Sequence, residues 1–294
     1  MNRAELTQYG VLEASGDDAR SFLHAQLTSD IAGLPDNRAR HGGWCSAKGR
    51  LLASFLVVPH ASGYLLQLAR DLAPTVAKRL AMFVLRAKVK ISDASAAWVQ
   101  FGVWGPGAEA SLAHVGIEAP GEDLQIVRRA NLLVVRASAQ HYLLIAPQEE
   151  RARLATLAGS GDATGWTLEE IRAGRPLVTQ ATQDQFIPQM VNYECFGAVD
   201  FQKGCYPGQE VVARAQYRGQ VKRRMVRVRT PVPLRAGQDL YSDDLPSQAS
   251  GTVVNAAGDE ALAVVQIGAL EKGAAVRVEA NGAPLEVLPL PYAA

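Results

Sequence analysis

The chain lacks a charge excess, a cysteine framework and an uninterrupted membrane-length apolar run. Each absence narrows what it can be. Its 294 residues carry 30 Lys+Arg against 29 Asp+Glu, and 48% are hydrophobic, so disordered and collagen-like compositions are excluded. A net charge of only +1 also argues against a broad nucleic-acid footprint. The three cysteines, Cys45, Cys195 and Cys205, are odd in number and show no C-x-x-C spacing. The opening MNRAELTQYG has no apolar stretch of the secretory kind, so a reducing cytoplasm is the expected compartment. Five histidines are scattered without ligand spacing, and G-x-S-x-G, P-loop and dinucleotide fingerprints are missing. No stable protein-only metal site is expected, and no familiar enzyme class is indicated.

Leu51 to Ala69 holds no Asp, Glu, Lys or Arg, yet Pro59, Ser62 and Gly63 divide it into LLASFLVV and YLLQLA. Those lengths predict two strands joined by a turn, not a span. A helix is predicted from about Asp17, with Ala19, Leu23 and Leu27 on one face and carboxylates at its positive end. A second is predicted from Asp71 to about Lys88, followed by the edge strand KVKIS. WVQFGVW reads as a strand with a short helix after Pro106, NLLVVRA and HYLLIA as a hairpin, and Gln148 through Leu157 as a polar helix. Thr167 to Glu170 reads as a capping box at a helix start. The repeated hairpin-plus-helix order predicts α+β architecture with antiparallel sheet. From Val221 the runs shorten and alternate between turn clusters such as Asn281-Gly282, predicting a small C-terminal β-barrel. The domains are therefore expected at 1–220 and 221–294.

The most informative stretch is VDFQKGCYPGQEVVARAQYRGQVKRR, from Val199 to Arg224. Gly204, Pro207 and Gly208 allow a tight path around Cys205, and Gln209 to Gln216 can form a helix beyond it. A helix start and the Lys203 cation both favour a thiolate, which makes Cys205 the candidate reactive group. Cys45 and Cys195 sit among Trp44, Tyr193 and Phe196 with no adjacent cation, which reads as packing. Seven of the sixteen residues from Arg214 to Arg229 are basic, and no acid lies between Val211 and Gln238. That segment predicts an anion-attracting surface suited to RNA phosphates or a polyanionic cofactor tail.

These residues resemble a known family. KGCYPGQEVVAR at Lys203 to Arg214 is similar to the K-G-C-Y-x-G-Q-E signature of the YgfZ family, folate-binding relatives of the glycine-cleavage T-protein. The likeness extends to FIPQMVNYECFGAVDF, YRGQVKRR, QLTSDI, SAKGRLLASFLV and the closing LPLPY, and so covers essentially the whole chain. It implies two ferredoxin-like, T-protein-like antiparallel α+β regions around a folate-sized central hole, plus the C-terminal barrel. It further implies an accessory role in iron–sulfur cluster assembly or repair, linked to tRNA modification, with Cys205 in transient contact with a cluster. Lys203, Gly204, Tyr206, Gly208, Gln209, Glu210 and Arg214 complete the motif. Gln26, Thr28, Asp30, Trp44 and Arg172 are the candidates for tetrahydrofolate.

Two departures separate the branches. Where T-proteins carry paired aspartates, this chain has Ala53 and Ser54, so aminomethyl transfer loses its obvious carboxylate. Arg172 stands where an acid reads the pterin, and a guanidinium cannot accept hydrogen bonds. The leading expectation is a folate-binding accessory protein with iron–sulfur client or assembly proteins as partners. Its alternatives are a tetrahydrofolate-dependent one-carbon transferase and an RNA-associated module using Lys222 to Arg229.

Overall fold

The computed structural model describes residues 1–61, 63–245, 247–279 and 282–293. Ser62 and Asn281, two of the expected turn residues, lie outside the described residues. The chain divides into two compact units, one of residues 1–24, 30–41 and 55–166, the other of 25–29, 42–54 and 167–294.

In chain order the elements begin β1 (Asn2–Glu5), β2 (Tyr9–Ser15), α1 (Ala19–Gln26), β3 (Arg40–Cys45), β4 (Leu51–His60), β5 (Gly63–Ala69), α2 (Ala73–Ala81) and β6 (Lys90–Asp93). The uncharged run is the β4–β5 hairpin, with His60 paired to Gly63 and Leu56 to Gln67. Its continuous burial along LLASFLVVP explains why it shows no polar alternation. β2 lies between β5 and the edge strand β6, all antiparallel. The helix expected to reach Lys88 ends at Ala81. Apolar periodicity continues through Met82 and Phe83, but the backbone tightens into three-residue turns and Leu85 takes φ +47°. The chain thereby reverses in time for Lys90 to pair with Ser15.

Next come β7 (Trp98–Trp104), α3 (Ala108–His114), β8 (Ile126–Arg129), β9 (Leu132–Ser138), β10 (His141–Pro147) and α4 (Arg151–Leu154). They form, with β1, an antiparallel sheet of order β1-β7-β10-β9-β8. Period-two alternation sends Val99, Phe101 and Val103 of β7, Leu132 and Val134 of β9, and Tyr142, Leu144 and Ala146 of β10 into one core. Leu112 of α3 and Leu154 of α4 cover it. The polar helix expected from Gln148 to Leu157 is one 3₁₀ turn, Gln148–Glu150, followed by the single turn of α4.

α5 (Ala163–Arg172) overturns the capping-box reading. Thr167 and Glu170 lie inside the helix, and Asp162 Oδ1 caps it by accepting from the Gly165 N–H at 2.9 Å. The second unit continues through α6 (Gln209–Tyr217), β11 (Arg223–Arg229), β12 (Asp239–Ser242), β13 (Gly251–Ala257), β14 (Glu260–Gln266), α7 (Ile267–Glu271), β15 (Val276–Arg277) and β16 (Glu286–Leu288). Its strands form one curled antiparallel sheet of order β15-β12-β13-β14-β11-β16, a half-barrel where a full barrel was expected. Val228, Leu240, Val253, Ala263, Val265 and Val276 fill its concave core.

Candidate thiol site

The motif loop is built by short-range hydrogen bonds. Asp200 Oδ1 accepts from the N–H groups of Gln202, at 2.7 Å, and Lys203, at 3.1 Å, turning the chain toward Cys205. Gln209 Oε1 accepts from the Tyr206 N–H at 3.2 Å, and the Gln209 N–H returns a bond to the Tyr206 carbonyl. This reciprocal pair starts α6 much as a capping box does. The Tyr206 ring is buried, and burial pushes its phenol pKa upward.

Gly208 makes the closest approach. At φ +77° it packs backbone to backbone on the Ser46–Arg50 turn, and a Cβ there would stand 2.3 Å from the Ser46 oxygen. Gly49, at φ +69°, faces it from that turn, 2.7 Å from the same hypothetical Cβ. Only a residue without a side chain permits both contacts. Pro207 and Gly208 thus lead from Cys205 directly into α6.

Of the three thiols, Cys205 alone is exposed. Cys45 is 2% exposed, and burial, with Asp184 adding to it, pushes its pKa up to about 12. Cys195 is half-buried and its pKa is also raised, by burial and then Glu194, against the opposing Arg224 guanidinium. That guanidinium corrects the sequence reading, which gave Cys195 no cation. Lys203 donates through Nζ to the Leu27 carbonyl at 2.7 Å and lies 5.1 Å from the Tyr206 ring centre. Glu210 and Arg214 are exposed on α6.

The folate candidates are engaged within the protein. Thr28 is fully buried; its hydroxyl donates to the Ala198 carbonyl at 2.6 Å and accepts from the Gly43 N–H at 2.8 Å. Trp44, 1% exposed, donates its indole N–H to Gln26 Oε1 at 3.4 Å. Asp30 belongs to the other unit. Burial opposes its charge, but the Gly33 N–H, His24 and Arg40 outweigh that and hold its pKa below the usual carboxylate value. Arg172 donates to Glu260 at 3.1 Å and Glu169 at 3.0 Å, and Glu260 also accepts from Arg227 at 2.7 Å. Thr28, Trp44 and Arg172 thus each have internal hydrogen-bond partners. Ala53 is buried, and the Ser54 hydroxyl accepts from the Val178 N–H at 2.8 Å, so no carboxylate replaces the T-protein aspartates on this strand. Among the described residues, no group of three or more His, Cys, Asp or Glu could hold a metal ion.

Sequence reasoning missed Gln189 and Asn192. Both are fully buried; Gln189 donates to the Val212 carbonyl at 2.7 Å, anchoring α6, and Asn192 to the Met225 carbonyl at 2.9 Å. Amides inside the apolar segment FIPQMVNY were the available signal. Three of the seven basic residues of the Arg214–Arg229 segment are ion-paired. Arg224 pairs with Glu194, Arg227 with Glu260, and Arg229 with Asp259 and Glu286, all acids distant in sequence.

The fold is that of the solved glycine cleavage system aminomethyltransferase T from Bartonella henselae, at TM-score 0.76 and 17% identity over 99% of this chain and 85% of that one. Residues 3–131 match the family described as GCVT N-terminal domain. The tRNA-modifying protein YgfZ of Vibrio vulnificus strain CMCP6 is 32% identical over 226 residues, 76% of this chain and 68% of the relative. That of Edwardsiella ictaluri is 36% identical over 220 residues, 72% and 66% respectively. The chain belongs to the YgfZ family.

Proposed function

We propose that the chain is an accessory protein for assembly or repair of iron–sulfur proteins, acting through the Cys205 thiol and thereby supporting tRNA modification. The observation that carries this reading is the contrast among the thiols: Cys205 is exposed on a braced loop, while Cys45 and Cys195 are withdrawn and have raised pKa values. Only an accessible thiolate can ligate iron presented by another protein. A cluster usually takes about four thiolates, so the other ligands come from donor or client proteins, and contact with Cys205 is transient. The cluster is cargo in this reading, and its partners are iron–sulfur client or assembly proteins of the cytoplasm. The relatives' name supports the link to tRNA modification.

Tetrahydrofolate, in the central hole that a T-protein-like frame implies, is the small-molecule part of the proposal. Of the nominated residues, Gln26 engages Trp44 through its carbonyl oxygen, which leaves its amide N–H groups to meet a ligand. Aminomethyl transfer is disfavoured because Ala53 and Ser54 supply no carboxylate to move a proton.

The purified chain, mixed with a cluster-loaded donor and an apo iron–sulfur enzyme, should speed recovery of that enzyme's activity. Cys205→Ser should abolish the effect and Cys195→Ser should preserve it. Equal stimulation by wild type and Cys205→Ser would remove the thiol from the account.

A further inference from the structure

Once the ion pairs of β11 are subtracted, the basic segment changes shape. Arg224, Arg227 and Arg229 are neutralised by carboxylates. Arg214, Arg218, Lys222 and Arg223 have no carboxylate partner among the described residues. The unneutralised charge therefore lies on the end of α6, the link to β11 and the first residue of that strand. Arg214 and Tyr217, three residues apart, share one face of the helix end, and Arg218 is the residue that caps it.

Tyr217 is 68% exposed, unusual for a large ring on a short helix. Its ring is held in edge-to-face contact with Phe201, centroids 6.0 Å apart at 71°. Beside this face lies an open cleft of about 660 Å³ between the end of α6 and the β14–α7 junction, lined by Gln216, Gly219, Gln220, Lys222 and Gly268. The acids of this region are Glu210 at the start of α6, Glu271 on the cleft rim and Glu194, which pairs with the cleft-lining Arg224.

We propose that this face binds single-stranded RNA. One base stacks on Tyr217, and phosphates meet Arg214, Arg218, Lys222 and Arg223, of which Lys222 lines the cleft. Four cations with one ring suit an unpaired strand, since every base offers a π-face and every phosphate a charge. An acidic peptide would use the cations and leave the ring without a role. A contact confined to these residues agrees with the near-neutral chain.

The test is fluorescence anisotropy of the full chain with a short unstructured labelled RNA across a salt series. Binding should weaken with a log–log slope of about −3, from four phosphate contacts on a single strand. Removing one cation, as in Arg218→Ala, should reduce that slope by about 0.7. Tyr217→Ala should weaken binding roughly ten-fold while leaving the slope unchanged. Arg229→Ala, at an ion-paired position, should bind as wild type does. All the altered side chains are exposed or half-exposed, and an unchanged thermal midpoint shows that each variant is folded. Salt-independent binding, an unaffected Tyr217→Ala, or stronger competition by poly-glutamate than by unlabelled RNA would each overturn the proposal. Cys205→Ser should bind RNA normally, so failure here is distinguishable from failure of the thiol reading.

Discussion

Gly208→Ala tests the contact that braces the motif loop. An alanine at this position meets two penalties. Its left-handed backbone, at φ +77°, costs a residue with a Cβ about 1–2 kcal/mol. Its methyl would stand 2.3 Å from the Ser46 oxygen and 2.7 Å from both Gly49 N and Cα. Relieving such overlap in packed backbone costs a further ~1–3 kcal/mol. The sum is about 2–5 kcal/mol. Gly197→Ala separates the two penalties, because Gly197 has φ +73° but no atom within 4 Å of its hypothetical Cβ. It should lose only the conformational part, about 1–2 kcal/mol. Urea midpoints of the two variants, compared at a common m value, measure the difference. The alkylation rate of Cys205 should rise in Gly208→Ala and stay constant in Gly197→Ala, because only the first displaces the loop. Equal stability losses would refute the backbone-to-backbone contact.

Three further outcomes follow from the geometry. The Cys45 thiol is neutral in the fold until about pH 12, whereas an ordinary thiol ionises near 9, so its stabilising contribution is complete below pH 9 and lost as pH rises toward 12. Cys45→Ala should therefore show a shallower alkaline fall in thermal midpoint across that window than wild type. Thr28→Val leaves the Gly43 N–H and Ala198 carbonyl buried without their partner and should cost about 1–3 kcal/mol in urea unfolding. Arg227→Ala should destabilise more than Arg172→Ala, by roughly 1–2 kcal/mol, because both serve the buried Glu260 but the Arg227 side chain is 19% exposed against 43%.

Elements whose signals are local were legible in the sequence. The β4–β5 hairpin, the β9–β10 hairpin and α6 each carry their period and their turn residues within one short segment. β3 was not foreseen, because RHGGWC has two glycines and no alternation; its Gly43 N–H meets Thr28, and its Trp44 is sealed by packing. Signals that depend on distant partners were misread. The β11 arginines read as an open cationic strand, because Glu194, Asp259, Glu260 and Glu286 reach them only through the fold. Thr167 read as a helix start by its spacing to Glu170, while Asp162 upstream took the capping role through one side-chain bond. At the candidate site, the motif and its exposed cysteine were legible from residue types. The Gly208–Gly49 contact and the anchoring by Gln189 were not, since neither partner is near in sequence.

The most direct measurement is made in cells whose sole copy of this protein carries Cys205→Ser, scoring the activity of an iron–sulfur enzyme that modifies tRNA. Activity should fall to the level of cells with no copy at all, while Cys195→Ser restores it. Full activity with Cys205→Ser, at matched protein abundance, would contradict it.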